Sequence, residues 1–207
     1  MMFNCSNCKL HGCSKGNLNE TLPKCPSKSN EIQDKAIALY EESNNKIIAY
    51  NAALVEAEGY CKQTRLEETI NFIKKCGYKK IGIAFCVGLQ NEARIVQSIL
   101  CHHGFQVCSV LCKNGSIPKA TIGITEKETV RKCKDEIMCN PIGQALLLND
   151  AKTEFNIILG LCVGHDTLAI KYMEAPVTVF AVKDRVTGHN PLAAVYLADG
   201  YYNDKLY

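Results

Sequence analysis

A repeated junction narrows the fold of this chain more than any other feature. Ile83-Ala84-Phe85-Cys86-Val87-Gly88 and Leu159-Gly160-Leu161-Cys162-Val163-Gly164 are each an apolar run closed by the same Cys-Val-Gly. A short apolar run bounded by a glycine turn reads as a buried strand. Each copy is followed by a helical pattern and a second apolar run, at residues 105–111 and 177–182. Two strand–turn–helix–strand units predict two βαβ halves of one mainly parallel sheet, with right-handed crossovers. The expected fold class is therefore α/β: a three-layer Rossmann-like domain built from two pseudo-symmetric halves.

Local signals place the remaining elements. Residues 29–57 carry helical spacing in Ile32, Ala36, Leu39 and Tyr40 after a Ser29-Asn30-Glu31 cap, and Gly59 ends or interrupts the run. A second helix is predicted over 64–76, opened by Thr64, Glu67 and Glu68 and stopped by Gly77. Further helices are expected at 91–101, at 141–148 with Asn140 as cap and Pro141 at the first position, in a short piece to about Met173, and at 191–197. Residues 113–138 are polar and less regular. Residues 1–27 are rich in Cys, Gly, Asn and Lys and lack the apolar surface to fold alone, so a metal is expected to organise them. The expected organisation is a Cys-rich metal-binding knot at 1–27, a helical segment packing on the core at 28–77 and an α/β domain at 78–207.

Cysteine dominates the composition question. The chain has 13 among 207 residues. A secreted disulfide scaffold is disfavoured by three observations: the start lacks a signal-peptide apolar region, the count is odd, and several cysteines lie in strand-like runs. A reduced cytoplasmic setting is expected instead, where clustered Cys signals metal or redox chemistry. The net charge of +3 comes from interspersed charges without a basic stripe, which disfavours nucleic acid as a partner. No apolar run approaches membrane-spanning length, so no membrane partner is expected.

Three groups of residues could carry chemistry. Cys5-x2-Cys8-x4-Cys13-x11-Cys25-Pro26 offers four soft donors, suited to tetrahedral zinc or to an iron–sulfur cluster, with the closing Cys-Pro favouring a 4Fe–4S cluster over Zn2+. His11 leaves a Cys3His zinc site open. Cys86 and Cys162 each end a strand, where parallel sheets collect ligands and the following helix favours the thiolate. Cys112 and Cys139 could converge on the same crevice, making a second four-Cys centre with them or a reactive pair beside a substrate. Packing alone is the competing reading for these four, and it fits Cys61, Cys76, Cys101, Cys108 and Cys133. The third group, His165, Asp184, Arg185 and His189, follows Cys162 and the last strand. With Cys162 these residues form an acid–base, anion-binding or nucleophilic set, unless Asp184 and Arg185 are only a salt-bridged turn.

Phe85-Cys86-Val87-Gly88-Leu89 with Glu92-Ala93, Met138-Cys139-Asn140-Pro141-Ile142, Gly160-Leu161-Cys162-Val163-Gly164-His165-Asp166 and Lys183-Asp184-Arg185 with His189-Asn190-Pro191 accompany the early cysteines. Together they resemble an uncharacterised prokaryotic family, DUF1847, across nearly the whole chain. The resemblance implies metal binding and a setting in anaerobes, and leaves the reaction open. The leading expectation is an iron–sulfur protein serving electron transfer or small-molecule redox chemistry, with a small molecule or a redox protein as partner. A zinc-stabilised, non-enzymatic binding module with structural or redox-sensing thiols is the alternative.

Overall fold

Both Cys-Val-Gly junctions close central strands of one sheet. The structure, a computed structural model, describes residues 3–207. Its four strands are β1 (Lys80–Phe85), β2 (Gln106–Leu111), β3 (Phe155–Leu161) and β4 (Val177–Val182). All neighbours run parallel, in the order β2-β1-β3-β4. The two units thus wind outward in opposite directions from a central β1–β3 pair. Every residue of β3 is buried and so is nearly all of β1, which is why both read as continuous apolar runs rather than alternating ones.

The described residues divide into two compact units, one ending at Glu58 and the other comprising Gly59–Tyr207. The first holds short 3-10 turns at Cys5–Asn7, Leu18–Glu20 and Pro26–Lys28, then α1 (Asn30–Tyr40) and most of α2 (Ser43–Gly59). Two helices thus stand where the pattern suggested one run reaching to Gly59. Ser29 takes the cap position of α1, but its side chain makes no capping hydrogen bond.

The second unit adds α3 (Arg65–Cys76), α4 (Gln90–His102), α5 (Pro141–Asp150), α6 (His165–Tyr172), and the short α7 (Leu192–Tyr196) and α8 (Asn203–Leu206). At α3, Thr64 Oγ1 accepts from Glu67 N while Glu67 Oε2 accepts from Thr64 N, and Gly77 closes the helix at φ 78°. Replacing Thr64 with Ala should lower the unfolding free energy by about 1 kcal/mol, read as a fall in the urea midpoint at constant slope.

Packing covers both faces of the sheet. Ile81, Ile83, Phe85, Phe155, Ile157 and Leu159 pack with Ile70 and Ile73 of α3 and Val96 and Leu100 of α4. Ala84, Cys86, Ile158 and Leu161 pack on the other face with Leu148 of α5 and Ala169 of α6. Leu159 and Leu161 would share a face in a regular strand. Here the β3–β4 register shifts on either side of Leu159, the second shift spanning Gly160, whose φ is +67°. That bulge turns Leu161 across the sheet and re-aims the strand end that carries Cys162.

The N-terminal cysteines are not gathered. Cys5 and Cys13 are exposed, and Cys8 and Cys25 half-buried. Among the described residues no group of three or more His, Cys, Asp or Glu is drawn together as a metal would hold them. The knot expected of residues 1–27 is thus not displayed, and metal there enters below only as a proposal. No helix among the described residues is long and apolar enough to cross a membrane.

Candidate functional site

The carboxyl ends of the strands bring four cysteines to one region, as the reversal of strand order at β1–β3 leads one to expect. Cys86 follows β1 and opens the Val87–Leu89 turn into α4. Cys112 follows β2, its N–H donating to Phe85 O at 2.9 Å, so it lies beside the end of β1. Asn140 N donates to Cys112 O at 2.7 Å, which seats Cys139 and the start of α5 over β2. Asn140 also caps α5 by accepting from Gly143 N at 2.9 Å. Cys162 follows β3, and its carbonyl accepts from His165 N at 2.9 Å, starting α6.

The sulfurs form a chain, not a cage. The Cys112 thiol is hydrogen-bonded to Cys86 on one side and Cys139 on the other, and Cys139 is hydrogen-bonded in turn to His165. Cys112 is 1% exposed and its sulfur also accepts from Val87 N at 3.3 Å. Its bonds to Cys139 and Cys86, and its burial, strongly raise its pKa, so Cys112 keeps its proton. Cys139 is pushed down to about 4, first by the Cys112 bond, then by His165, with Lys113 adding a favourable charge. Cys86 is likewise lowered by Cys112, by the Gly88 N–H and by the Lys183 charge. His165 is raised, chiefly by its bond to Cys139. A thiolate–imidazolium pair beside a protonated thiol results.

Cys162 stands apart from this chain. Arg185 Nη2 donates to Cys162 Sγ at 3.2 Å, so the arginine placed by the turn after β4 meets the cysteine at the end of β3. The imidazole of His165 goes to Cys139 instead. Asp184 and His189 bind within their own turn: Asp184 Oδ1 accepts from Val186 N and Thr187 N, and Asp184 N donates to His189 Nδ1 at 3.1 Å. That lone-pair role on Nδ1 leaves His189 holding the loop that presents Arg185.

A cleft of about 850 Å³ opens over these groups. Its floor includes Cys139, Cys162, His165, Arg185 and Lys113, and its wall is the irregular segment 116–138. That segment is tied down by the Lys119–Glu136 ion pair at 2.5 Å, by the Pro118–Ile137 bridge and by Lys113 Nζ donating to Ile137 O at 2.6 Å. Cys86 and Cys112 lie behind the floor, buried. The accessible thiols are therefore Cys139 and Cys162.

Two contributors escape the sequence patterns. Lys113, one residue past Cys112, reaches the cleft from the end of β2. Gln144 is fully buried, and its Nε2 donates to Phe85 O at 3.1 Å and Val110 O at 2.7 Å, pinning α5 to the ends of β1 and β2. Its one visible signal is a polar residue on the face of α5 that also carries Leu148.

Residues 25–180 match the family model described as a protein of unknown function, DUF1847. The match spans all four strand-end cysteines and begins after Cys5, Cys8 and Cys13. The uncharacterized protein MJ0455 of Methanocaldococcus jannaschii is 50% identical over 176 residues, which is 85% of this chain and 88% of that one. No solved structure matches the chain.

Proposed function

Because the chain belongs to the DUF1847 family, whose function is open, its chemistry has to be read from its own residues, and we propose thiol–disulfide exchange on a small molecule. The reading takes the domain as Rossmann-like, with pseudo-symmetric halves meeting at the crevice, and sets the reaction in a reducing, cytoplasmic compartment. One observation carries it: the accessible Cys139 is paired with His165 and backed by a buried, protonated Cys112.

In the first step the Cys139 thiolate attacks one sulfur of a disulfide RS–SR. The S–S bond breaks, one RS⁻ leaves, and Cys139 carries a mixed disulfide. Losing the Cys139 charge removes one of the two thiolates that hold the proton on Cys112. That proton passes to Cys86, which already accepts the Cys112 hydrogen bond. Cys112 then attacks the Cys139 sulfur and expels the second RS⁻, leaving a Cys112–Cys139 disulfide. Two electrons have passed from the cysteine pair to the substrate. A dithiol or excess monothiol returns the pair to its reduced form, which the stabilised thiolates favour.

Trapping tests this directly. With an excess of a small disulfide, Cys112→Ser is expected to stop at a mixed disulfide on Cys139, seen as one added RS mass on the Cys139 peptide. The unmodified chain should instead show a mass loss of two hydrogens and a Cys112–Cys139 crosslink. Failure of Cys139 to acquire RS in Cys112→Ser, or of the unmodified chain to form the Cys112–Cys139 crosslink, rejects the reading.

Metal at the N-terminal cysteines is a second proposal. Cys25 favours it: the backbone and side chain of Ser27 lower its thiol pKa, biasing it toward the thiolate a metal needs. Four thiol donors suit zinc or an iron–sulfur cluster, although the sulfurs do not converge here, so no step is routed through such a centre. Metal analysis of anaerobically purified protein should find iron with acid-labile sulfide, or zinc, and Cys8→Ser should lose it. Metal-free protein, or metal retained in Cys8→Ser, rejects this reading.

A further inference from the structure

Unmatched positive charge surrounds the thiol chain. Lys113, His165 and Arg185 reach the cleft from the ends of β2, β3 and β4. Lys183 lies behind them, where a Cβ on Gly88 would come within 3.0 Å of its Nζ. None of these four pairs with a carboxylate: Lys113 donates to a carbonyl, Arg185 to Cys162 Sγ, and His165 meets Cys139.

The nearby carboxylates are engaged elsewhere. Asp166 Oδ1 accepts from Thr167 N, and Asp184 Oδ1 from Val186 N and Thr187 N. Glu136 is paired with Lys119, and Glu128 Oε2 accepts from Thr125 N. Asp135 is the one acidic residue of the cleft lining that shows no such bond. The groups that meet His165 and Arg185 directly are thiols, with Asp166 adding a weaker favourable charge at His165 and Asp135 standing in the lining. When Cys139 becomes a mixed disulfide, its charge is lost, and His165 and Lys113 lose the thiolate that both face in a partly enclosed site. An anionic group on the bound half of the substrate restores the balance.

Resting on the exchange reaction above, we propose that the cleft selects anionic disulfides, low-molecular-weight compounds whose carboxylate or phosphate groups lie close to the S–S bond. Arg185 and Lys113 take the anionic group while Cys139 takes the sulfur. The cleft volume of about 850 Å³ suits a ligand of that kind, being in the usual range for small-molecule sites.

The test compares three disulfides on the full-length protein: dianionic dithiobis-nitrobenzoate, neutral dithiodipyridine and dicationic cystamine. The rate at which Cys139 loses its free thiol, as mixed disulfide or as the Cys112–Cys139 crosslink, is followed by peptide mass, and each rate is divided by that disulfide's rate with a free model thiol. At low salt the normalised anion-to-cation ratio should be on the order of 100, falling toward unity near 1 M salt as screening removes the field. Arg185→Gln should lower the low-salt ratio about tenfold, as expected for one lost charge contact in a partly enclosed site. A ratio near unity or below, with Cys139 still reacting with the neutral disulfide, overturns the selectivity and leaves the exchange reaction standing. If the neutral disulfide also fails at Cys139, the exchange reaction falls and the inference with it.

Discussion

Alkylation of Cys139 by iodoacetamide should proceed at a nearly constant rate from about pH 8 down to about pH 5. An unperturbed thiol, with a pKa of about 8.5, loses roughly three orders of magnitude in thiolate over that range. The sign follows from the lowered pKa: Cys139 is held down to about 4 by Cys112 and His165, so it is a thiolate throughout and its rate falls only below that value. The plateau itself should be modest, because a weakly basic thiolate is also a weaker nucleophile. His165→Gln removes the imidazolium, raises the Cys139 pKa and moves the fall to higher pH. Peptide mapping assigns the signal among the many cysteines. A steep profile at Cys139 would remove the physical basis of the proposed exchange.

Gly160→Ala should be the most damaging conservative change near the site. The backbone there has φ +67°, where an added Cβ costs about 1–2 kcal/mol. That Cβ would also run into Leu89 Cδ1, a side chain buried at the start of α4. Overpacking of this kind adds about 1–3 kcal/mol. The combined loss of about 2–5 kcal/mol is measurable as a lower denaturant midpoint. The consequence extends to function, because the bulge at Gly160 aims the strand end that carries Cys162 and, three residues on, His165, the partner of Cys139. Disulfide exchange at Cys139 should therefore weaken in the folded variant, whereas Thr64→Ala should cost stability alone.

The elements were legible because their signals are local. The Thr64–Glu67 reciprocal cap, the αL stop at Gly77, Asn140-Pro141 opening α5 and the apolar run of β4 all depend on residues within one turn or one strand. The repeated Cys-Val-Gly also located the two central strands, since only fully buried parallel strands need such unbroken apolar runs. The division of residues 29–59 into two helices was less legible, because both parts carry helical spacing and the break at residues 41–42 has neither Gly nor Pro.

The partners within the site were not legible, for a reason of distance. His165 lies three residues from Cys162, yet its ring reaches Cys139, which arrives from the other side of a segment of 25 residues. Arg185 finds Cys162 because β4 pairs beside β3, and Asp184 and His189 are drawn into the turn that presents it.

Sequence by itself therefore determined that an α/β chain would carry cysteines at the ends of its two central strands. Tertiary structure alone decided which of them are thiolates. A thiol's charge depends on the proton donors and cations within a few ångströms of its sulfur. Here those come from β1, β2, α5 and α6 at once, so that Cys112 keeps its proton while Cys86 and Cys139 give theirs up.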